Sequence, residues 1–119
     1  MPELPEVETV RLGLNAVTCH IPIVATEVLL ARTIAYPKAL AEFQAGLKDV
    51  QITEWCRRGK YLLATLMRTG SQSGGWLGIH LRMSGQLLWV DTSEPLHKHT
   101  RVRLLFTKNQ ELRFLDQRT

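Results

Sequence analysis

The sequence predicts a mainly β domain: a two-layer antiparallel β-sandwich of about seven or eight strands, flanked by an N-terminal helix and a second short helix. Helical spacing of apolar residues occurs in two places, near the N-terminus and after Pro37. Most of the remaining chain consists of short apolar or alternating runs separated by turn residues. Runs of that kind at close intervals are typical of sandwiches and barrels.

The N-terminal helix is predicted from about Pro5 to Thr18. Proline suits the first helical turn, where its missing N–H is not needed, and the neighbouring glutamates favour the positive end of the helix dipole. One apolar stripe recurs at helical spacing and consists of Val7, Val10, Leu14 and Val17. Packing this stripe on a core would hold the helix in place, and the helix would hold the N-terminus.

The rest of the chain divides into short elements. A strand is predicted over residues 23–34, and a short helix follows Pro37 because Leu40, Phe43 and Leu47 have helical spacing. Further strands are predicted over residues 50–57, 61–67, 76–81, 86–90, 101–106 and 111–115. Residues 69–75 are predicted to form a flexible loop, residues 82–85 a hairpin joining two strands, and Lys108-Asn109 a hairpin turn.

Composition places the chain among intracellular globular domains. Its 119 residues are 45% hydrophobic and 22% charged, which allows one domain at most. Cys19 and Cys56 are isolated, so neither a disulfide framework nor a zinc site is predicted. No apolar run approaches the ~20 residues of a membrane span. The N-terminus lacks the basic-then-apolar layout of a signal peptide.

The charge of the chain is unevenly distributed. The formal net charge is +4, with −2 in residues 1–50 and +6 in residues 51–119. A basic second half suggests a surface that faces a polyanion such as nucleic acid. Many solvated faces are also basic, so charge alone leaves the partner open.

The first two residues after Met1 are the candidate catalytic residues of the chain. Removal of Met1 would leave Pro2 as a free secondary amine beside the Glu3 carboxylate. An α-amino group has a reference pKa of roughly 7.7–8.0, so part of it is nucleophilic near neutral pH. Such an amine can form a Schiff base while a neighbouring carboxylate moves protons. From these residues alone, an ordinary second residue followed by a helix N-terminus is the favoured interpretation.

Four stretches of the chain, taken together, resemble the motifs of a known enzyme family. They are Pro2-Glu3-Leu4-Pro5-Glu6-Val7-Glu8-Thr9, Arg57-Arg58-Gly59-Lys60-Tyr61-Leu62, His80-Leu81-Arg82-Met83-Ser84-Gly85 and Asp116-Gln117-Arg118-Thr119. In this order and at these spacings the chain resembles the formamidopyrimidine-DNA glycosylases, bacterial base-excision enzymes that remove oxidised purines. The first stretch is specific, whereas each of the others alone is weak. The resemblance runs from end to end of the chain.

The resemblance implies catalytic roles for three residues. Pro2 would attack the sugar C1′ of the damaged nucleotide, and Glu3 would shuttle protons. Lys60, which follows the permissive Gly59, would contact phosphate and take part in proton transfer during strand cleavage. Arg57 is interpreted as a surface charge that adds unspecific attraction to DNA.

The resemblance also implies three DNA-binding residues. Met83 and Arg118 would fill the gap left by a flipped nucleotide, together with a phenylalanine that would lie beyond Thr119. His99 would contact a DNA phosphate, as part of a stretch usually read Lys-His-Asp-His. Here the stretch reads Lys98-His99-Thr100-Arg101, and this departure puts any role beyond His99 in doubt. The other histidines are interpreted as structural.

The resemblance further implies that residues 1–119 are the N-terminal catalytic domain of a longer protein, with the break after Thr119 as a boundary. The helix–two-turn–helix module and a zinc finger would lie outside it. No cofactor is expected in this fragment, and zinc is expected in the missing C-terminal zinc finger. The implied partner is double-stranded DNA with oxidised purines or abasic sites, bound by a cytoplasmic, nucleoid-associated monomer without membrane contact. The fragment itself is expected to bind DNA weakly and to have little activity.

Three alternatives remain from the sequence. An endonuclease VIII-like enzyme would attack oxidised pyrimidines with the same Pro2 and Glu3, although Leu4 and the continuation to Thr9 favour the purine branch. An inactive DNA-binding relative would be expected to have lost one of the two residues, and both are present. An N-terminal-proline tautomerase would place its proline directly at the start of a β-strand.

Overall fold

The computed structural model describes residues 4–70, 72–82 and 84–117. In this part of the chain there are two α-helices, α1 (Leu4–Val17) and α2 (Leu40–Leu47). The strands are β1 (Ile23–Val28), β2 (Gln51–Arg58), β3 (Tyr61–Arg68), β4 (Gln72–His80), β5 (Gln86–Asp91), β6 (Thr100–Phe106) and β7 (Gln110–Leu115). Single 3-10 turns occur at Ala31–Thr33 and Thr107–Asn109.

The strands form two antiparallel sheets. One sheet has four strands in the order β1-β6-β7-β5, and the other has three in the order β2-β3-β4. The burial pattern of β6 shows why the sheets form layers. Every second residue from Thr100 to Phe106 is buried, as expected for a strand with one face packed on the core. The predicted fold class, a two-layer antiparallel β-sandwich with an N-terminal helix and a second short helix, is confirmed.

Helix α1 packs along the outer edge of the three-stranded sheet, beside β2. The Asn15 side chain takes the place of a neighbouring strand: its Oδ1 accepts from the Trp55 N–H at 2.7 Å and its Nδ2 donates to the Trp55 carbonyl at 3.2 Å. Trp55 itself is fully buried in the core. This pairing fixes the distance between the helix and the sheet.

The predicted apolar stripe of α1 is wrong in its last member. Val7 and Leu14 are buried, but Val17 is 40% exposed and Thr18 is buried in its place. Thr18 satisfies its hydroxyl by donating to the Leu14 carbonyl and accepting from the Trp55 Nε1, each at 2.8 Å. A buried threonine is therefore stable here because both of its hydrogen bonds are made inside the protein.

Two predicted boundaries also differ from the structure. The strand predicted over residues 23–34 ends at Val28, and a 3-10 turn follows at Ala31–Thr33. The loop predicted over residues 69–75 is shorter, because β4 begins at Gln72 and pairs with Arg68. Backbone hydrogen bonding to β3 thus extends the strand into a segment whose composition is typical of a loop.

The hairpin predicted between the strands on either side of residues 82–85 is wrong. Strand β4 belongs to the three-stranded sheet and β5 to the four-stranded sheet, so the connection crosses between layers. It is closed by a hydrogen bond from the Gly85 N–H to the Leu81 carbonyl at 2.8 Å. A Cβ at Gly85 would lie 2.4 Å from that carbonyl oxygen, so only glycine fits. The predicted turn at Lys108-Asn109 is confirmed, and both residues have positive φ.

Candidate nucleic-acid interface

Lys60 lies at the tip of the β2–β3 hairpin. Arg58 pairs with Tyr61, which leaves Gly59-Lys60 as a two-residue loop. Gly59 has a φ of +58°, a conformation that glycine adopts without strain and that tight hairpin loops require. The Lys60 side chain is exposed, as expected for a residue that contacts a polyanion.

A chain of polar contacts joins this hairpin to α1. Arg57 donates from Nε to Glu8 Oε1 at 3.3 Å and from Nη1 to the Gly59 carbonyl at 3.2 Å. Arg11 also donates from Nε to Glu8 Oε1 at 2.9 Å. Hydrogen bonding to Arg11, aided by Arg57, lowers the pKa of Glu8 from 4.5 to about 2. Arg57 is exposed, as predicted, but it is also the tie between the first helix and the turn that carries Lys60.

Pro2 and Glu3 lie outside the described residues. Helix α1 begins at Leu4, immediately after them, and continues without a break to Val17. The tautomerase alternative would instead require a β-strand at this point of the chain. The described start of the chain is helical and therefore disfavours that alternative.

The end of β4 lies beside the Lys60 hairpin. Tyr61 and His80 are cross-strand partners, and their rings stack at a centroid distance of 4.5 Å. The next residue, Leu81, is buried and anchors the crossover segment. Met83 lies outside the described residues, between Arg82, which is exposed, and Ser84. His80 is interpreted from the sequence as structural without a known partner, and the stack shows that its partner is Tyr61.

A second set of contacts, the Asp116 network, consists of Ser84, His99, Arg101 and Asp116. The Ser84 hydroxyl donates to Asp116 Oδ1 at 2.6 Å. Arg101 Nε donates to the Asp116 carbonyl at 3.0 Å, and the Asp116 N–H donates to the His99 carbonyl at 3.1 Å. Three segments that resemble family motifs therefore meet at one residue. Arg118, two positions further along, lies outside the described residues.

His99 is partly exposed and lies in a basic environment. Its backbone N–H donates to His97 Nδ1 at 3.0 Å, and the two rings are 5.3 Å apart. Partial burial lowers the pKa of His99, and the nearby positive charges of Lys98, His97 and Arg101 lower it further. At neutral pH the imidazole is therefore uncharged, in a form that can still donate one hydrogen bond.

The segment that carries His99 is held by an ion cluster that sequence reasoning missed. In this Glu111 cluster, Arg113 donates to Glu111 at 2.6 Å and to the carbonyls of Glu94 and Pro95 at 2.6 and 3.2 Å. Arg103 adds two bonds to Glu111, at 2.7 and 2.8 Å, and one to Glu27 at 2.7 Å. The sequence contains one signal of this cluster, because Arg103, Glu111 and Arg113 are charged residues inside two strands that pair as a hairpin.

An open cleft of about 960 Å³ lies between the two sheets. Its lining includes apolar residues of both layers and also Tyr61, His80, Arg82, Arg101 and Asp116. The stacked aromatic pair and the Asp116 network therefore border one continuous space.

Two further observations limit the kinds of site that the described chain contains. Within residues 4–70, 72–82 and 84–117, no three His, Cys, Asp or Glu side chains converge in a way that could hold a metal ion. Neither described helix combines the length and apolarity that a membrane crossing needs.

Comparison with known proteins identifies the family. Residues 1–119 match the sequence model described as the formamidopyrimidine-DNA glycosylase N-terminal domain. A formamidopyrimidine-DNA glycosylase from Acaryochloris marina is 60% identical over 119 residues, which are 100% of this chain and 42% of that protein. One from Nostoc punctiforme is 62% identical over the same length and is covered to 40%. The chain thus spans about two fifths of the length of these relatives.

Solved structures agree with the sequence match. MutM in complex with DNA containing carbocyclic 8-oxo-G has a TM-score of 0.86 and 30% identity, over 99% of this chain and 42% of that one. The Lactococcus lactis enzyme non-covalently bound to DNA with an AP site has a TM-score of 0.84 and 29% identity, over 97% and 41%. By sequence and by fold, the chain belongs to the formamidopyrimidine-DNA glycosylase family and corresponds to its N-terminal domain.

Proposed function

We propose that this chain provides the catalytic end of a base-excision repair enzyme. The enzyme is a DNA glycosylase with abasic-site lyase activity, and it removes oxidised purines such as 8-oxoguanine and formamidopyrimidines from double-stranded DNA. The observation that carries the proposal is the contact chain from Glu8 through Arg57 to Gly59. It joins the helix that follows Pro2 and Glu3 to the hairpin that presents Lys60, as a shared active site requires.

The first chemical step is substitution at the sugar. The neutral secondary amine of Pro2 forms a bond to C1′, the glycosidic bond breaks, and the base leaves with a proton. Opening of the sugar ring breaks the C1′–O4′ bond, gives O4′ a proton and leaves an iminium between Pro2 and C1′. Glu3, one residue away, is within reach to deliver and remove these protons.

The second step is strand cleavage by elimination. The iminium withdraws electrons and acidifies the C2′ proton, whose loss expels the 3′ phosphate. Water then hydrolyses the Schiff base and releases Pro2. Lys60 is suited to hold the phosphate and to assist proton transfer, because its hairpin presents an exposed cation at a fixed position.

DNA binding involves a further set of residues. A neutral His99 donates a hydrogen bond to a backbone phosphate, and Met83 and Arg118 fill the space left by the flipped nucleotide. The positive surface around these segments attracts the duplex, and the attraction weakens with salt. The partner is DNA with oxidised purines or abasic sites, bound by a monomer in the bacterial cytoplasm at the nucleoid.

None of these steps requires a cofactor on this chain. Cys19 is a poor zinc ligand, since burial raises the pKa of its thiol and zinc binds the thiolate. We place the zinc-finger and helix–two-turn–helix modules in the part of the enzyme that this chain does not span. The chain alone is accordingly expected to bind DNA weakly and without lesion specificity.

The test is borohydride trapping on a duplex that contains 8-oxoguanine. Two proteins are compared: the 119-residue chain, and a protein in which it replaces the matching segment of a full-length relative. Borohydride reduces the iminium to a stable amine, and peptide mass spectrometry locates the attached sugar. We expect an adduct on Pro2 in the longer protein and little adduct in the short chain.

Three controls sharpen this experiment. An undamaged duplex of the same sequence should give no adduct, and a thymine glycol duplex measures any preference for oxidised pyrimidines. A Pro2→Gly variant, which replaces the secondary amine by a primary one, should trap less adduct. No adduct in the longer protein, or an adduct confined to a lysine, would disprove the mechanism. An excess of adduct on thymine glycol would instead assign the chain to the endonuclease VIII-like alternative.

A further inference from the structure

Asp116 joins the crossover to the segment that leads into β6. It follows β7 directly and is partly buried. Its carboxylate contacts the crossover at Ser84, its carbonyl contacts Arg101 at the start of β6, and its N–H contacts His99. Side chain and backbone of a single residue therefore fix segments that are more than ten positions apart in the chain.

The contact to the crossover is the strongest of the three. A hydroxyl that donates to a carboxylate makes a charge-assisted bond, and the 2.6 Å distance from Ser84 Oγ to Asp116 Oδ1 lies in the range of such bonds. The crossover leaves one sheet and enters the other, so it lacks a strand ladder of its own. Buried Leu81 and the Gly85 turn hold its two ends, and Asp116 holds its middle.

The Arg101 side chain is directed toward this network. Its Nε is 3.0 Å from the Asp116 carbonyl, and its Nη2 is 3.5 Å from His99 Nδ1. Arg101 is one of the two residues, with Thr100, at which the chain departs from the usual family pattern. Its side chain is partly buried and also lines the cleft between the sheets.

We propose that Asp116 is a positioning residue that holds the crossover, at Ser84, against the His99 segment, with Arg101 as the second tie. The inference rests on the proposed function, since it assigns the network a role in opening the duplex. In this proposal Asp116 acts without contacting the substrate. It sets the position of the crossover and of the His99 segment, so its loss affects base flipping more than the Schiff-base chemistry.

The matched variants are Asp116→Asn, which keeps the shape and the backbone bonds, and Ser84→Ala, which removes the donor. Ser84→Thr keeps a hydroxyl and serves as the rescue. In the longer protein described above, we expect Ser84→Ala to slow single-turnover excision of 8-oxoguanine about tenfold, the loss of one charge-assisted bond. Asp116→Asn should slow it less, because the amide oxygen still accepts from Ser84 and only the charge is lost. Trapping on DNA with a preformed abasic site should change less than twofold.

Two readouts separate positioning from loss of structure. Fluorescence of 2-aminopurine next to the lesion reports flipping and should fall in parallel with excision, while the melting temperature stays close to that of the parent. The double variant should be no slower than Ser84→Ala alone, because Asp116→Asn only weakens a bond that Ser84→Ala already removes. Additive effects, unchanged excision in Asp116→Asn, or equal losses in excision and abasic-site trapping would overturn the inference.

A measurement on the 119-residue chain keeps this test independent of the proposed function. The backbone N–H signals of Gly85 and His99, labelled with ¹⁵N, should shift in Ser84→Ala and, less, in Asp116→Asn, but not in Ser84→Thr. If the parent protein fails to excise 8-oxoguanine while this pattern holds, the proposed function fails and the network stands. If excision works and the Gly85 and His99 signals stay unchanged in all three variants, the inference about the network fails while the proposed function stands.

Discussion

Arg113 is the residue whose removal we expect to destabilise the four-stranded sheet most. Its side chain is only 3% exposed, and its partner Glu111 is fully buried. Arg113→Met keeps much of the side-chain volume, but it removes the 2.6 Å ion pair and leaves the carbonyls of Glu94 and Pro95 without this donor. Removing one partner of a buried pair costs about 3–5 kcal/mol. Because Arg103 still pairs with Glu111, we expect the lower end, about 3 kcal/mol.

The assay is urea unfolding followed by tryptophan fluorescence, with the free energy of unfolding extrapolated to water. Glu27→Gln is the matched control, since Glu27 belongs to the same cluster but its side chain is 48% exposed. We expect that control to lose less than about 1 kcal/mol. A loss below about 1 kcal/mol for Arg113→Met would show that Arg103 alone suffices and would refute the reasoning.

Three further substitutions probe other parts of the fold. Glu8→Gln should flatten the dependence of the melting temperature on pH between 4.5 and 2, because the lowered pKa of Glu8 stabilises the protein above that window and the gain disappears as the carboxylate is protonated. Gly85→Ala should destabilise by about 2 kcal/mol or more in urea unfolding, since its Cβ would meet the Leu81 carbonyl oxygen at 2.4 Å. Asn15→Leu should cost about 1–3 kcal/mol in the same assay, because the Trp55 N–H loses its acceptor and the Trp55 carbonyl keeps only the 3.5 Å contact with Arg11.

Each of these has a contrary outcome. An identical pH profile for Glu8→Gln would mean that its ion pairs with the two arginines do not persist in solution. Normal stability of Gly85→Ala would show that the crossover can shift away from the turn described above. If Asn15→Leu matches the parent, water replaces the amide at the edge of β2, and the helix is held by its apolar contacts alone.

The elements that sequence predicted well are those determined by neighbouring residues. Pro5 and the adjoining glutamates mark the start of α1 because they act within one helical turn. Gly59 places Lys60 in a hairpin because two residues suffice to close it. In both cases the physical cause and its effect lie within a few positions of the chain.

The predictions that failed depend on contacts between distant segments. The residues around Gly85 have the pattern of a hairpin, and only the partners of β4 and β5 reveal that they belong to different sheets. Thr18 replaces Val17 in the core because Trp55, far along the chain, supplies its hydrogen-bond donor. The Asp116 network could not be foreseen for the same reason, since three segments must meet before its bonds exist.

The amide of Asn15 also has a consequence for self-association. Strand β2 lies at the end of its sheet, and an uncovered edge strand is a template for pairing with another chain. By occupying the N–H and the carbonyl of Trp55, Asn15 blocks that edge at its centre. Detachment of α1 would therefore uncover an aggregation-prone strand at the same moment as it released the N-terminal amine. Conditions that loosen this helix are then expected to precipitate the protein.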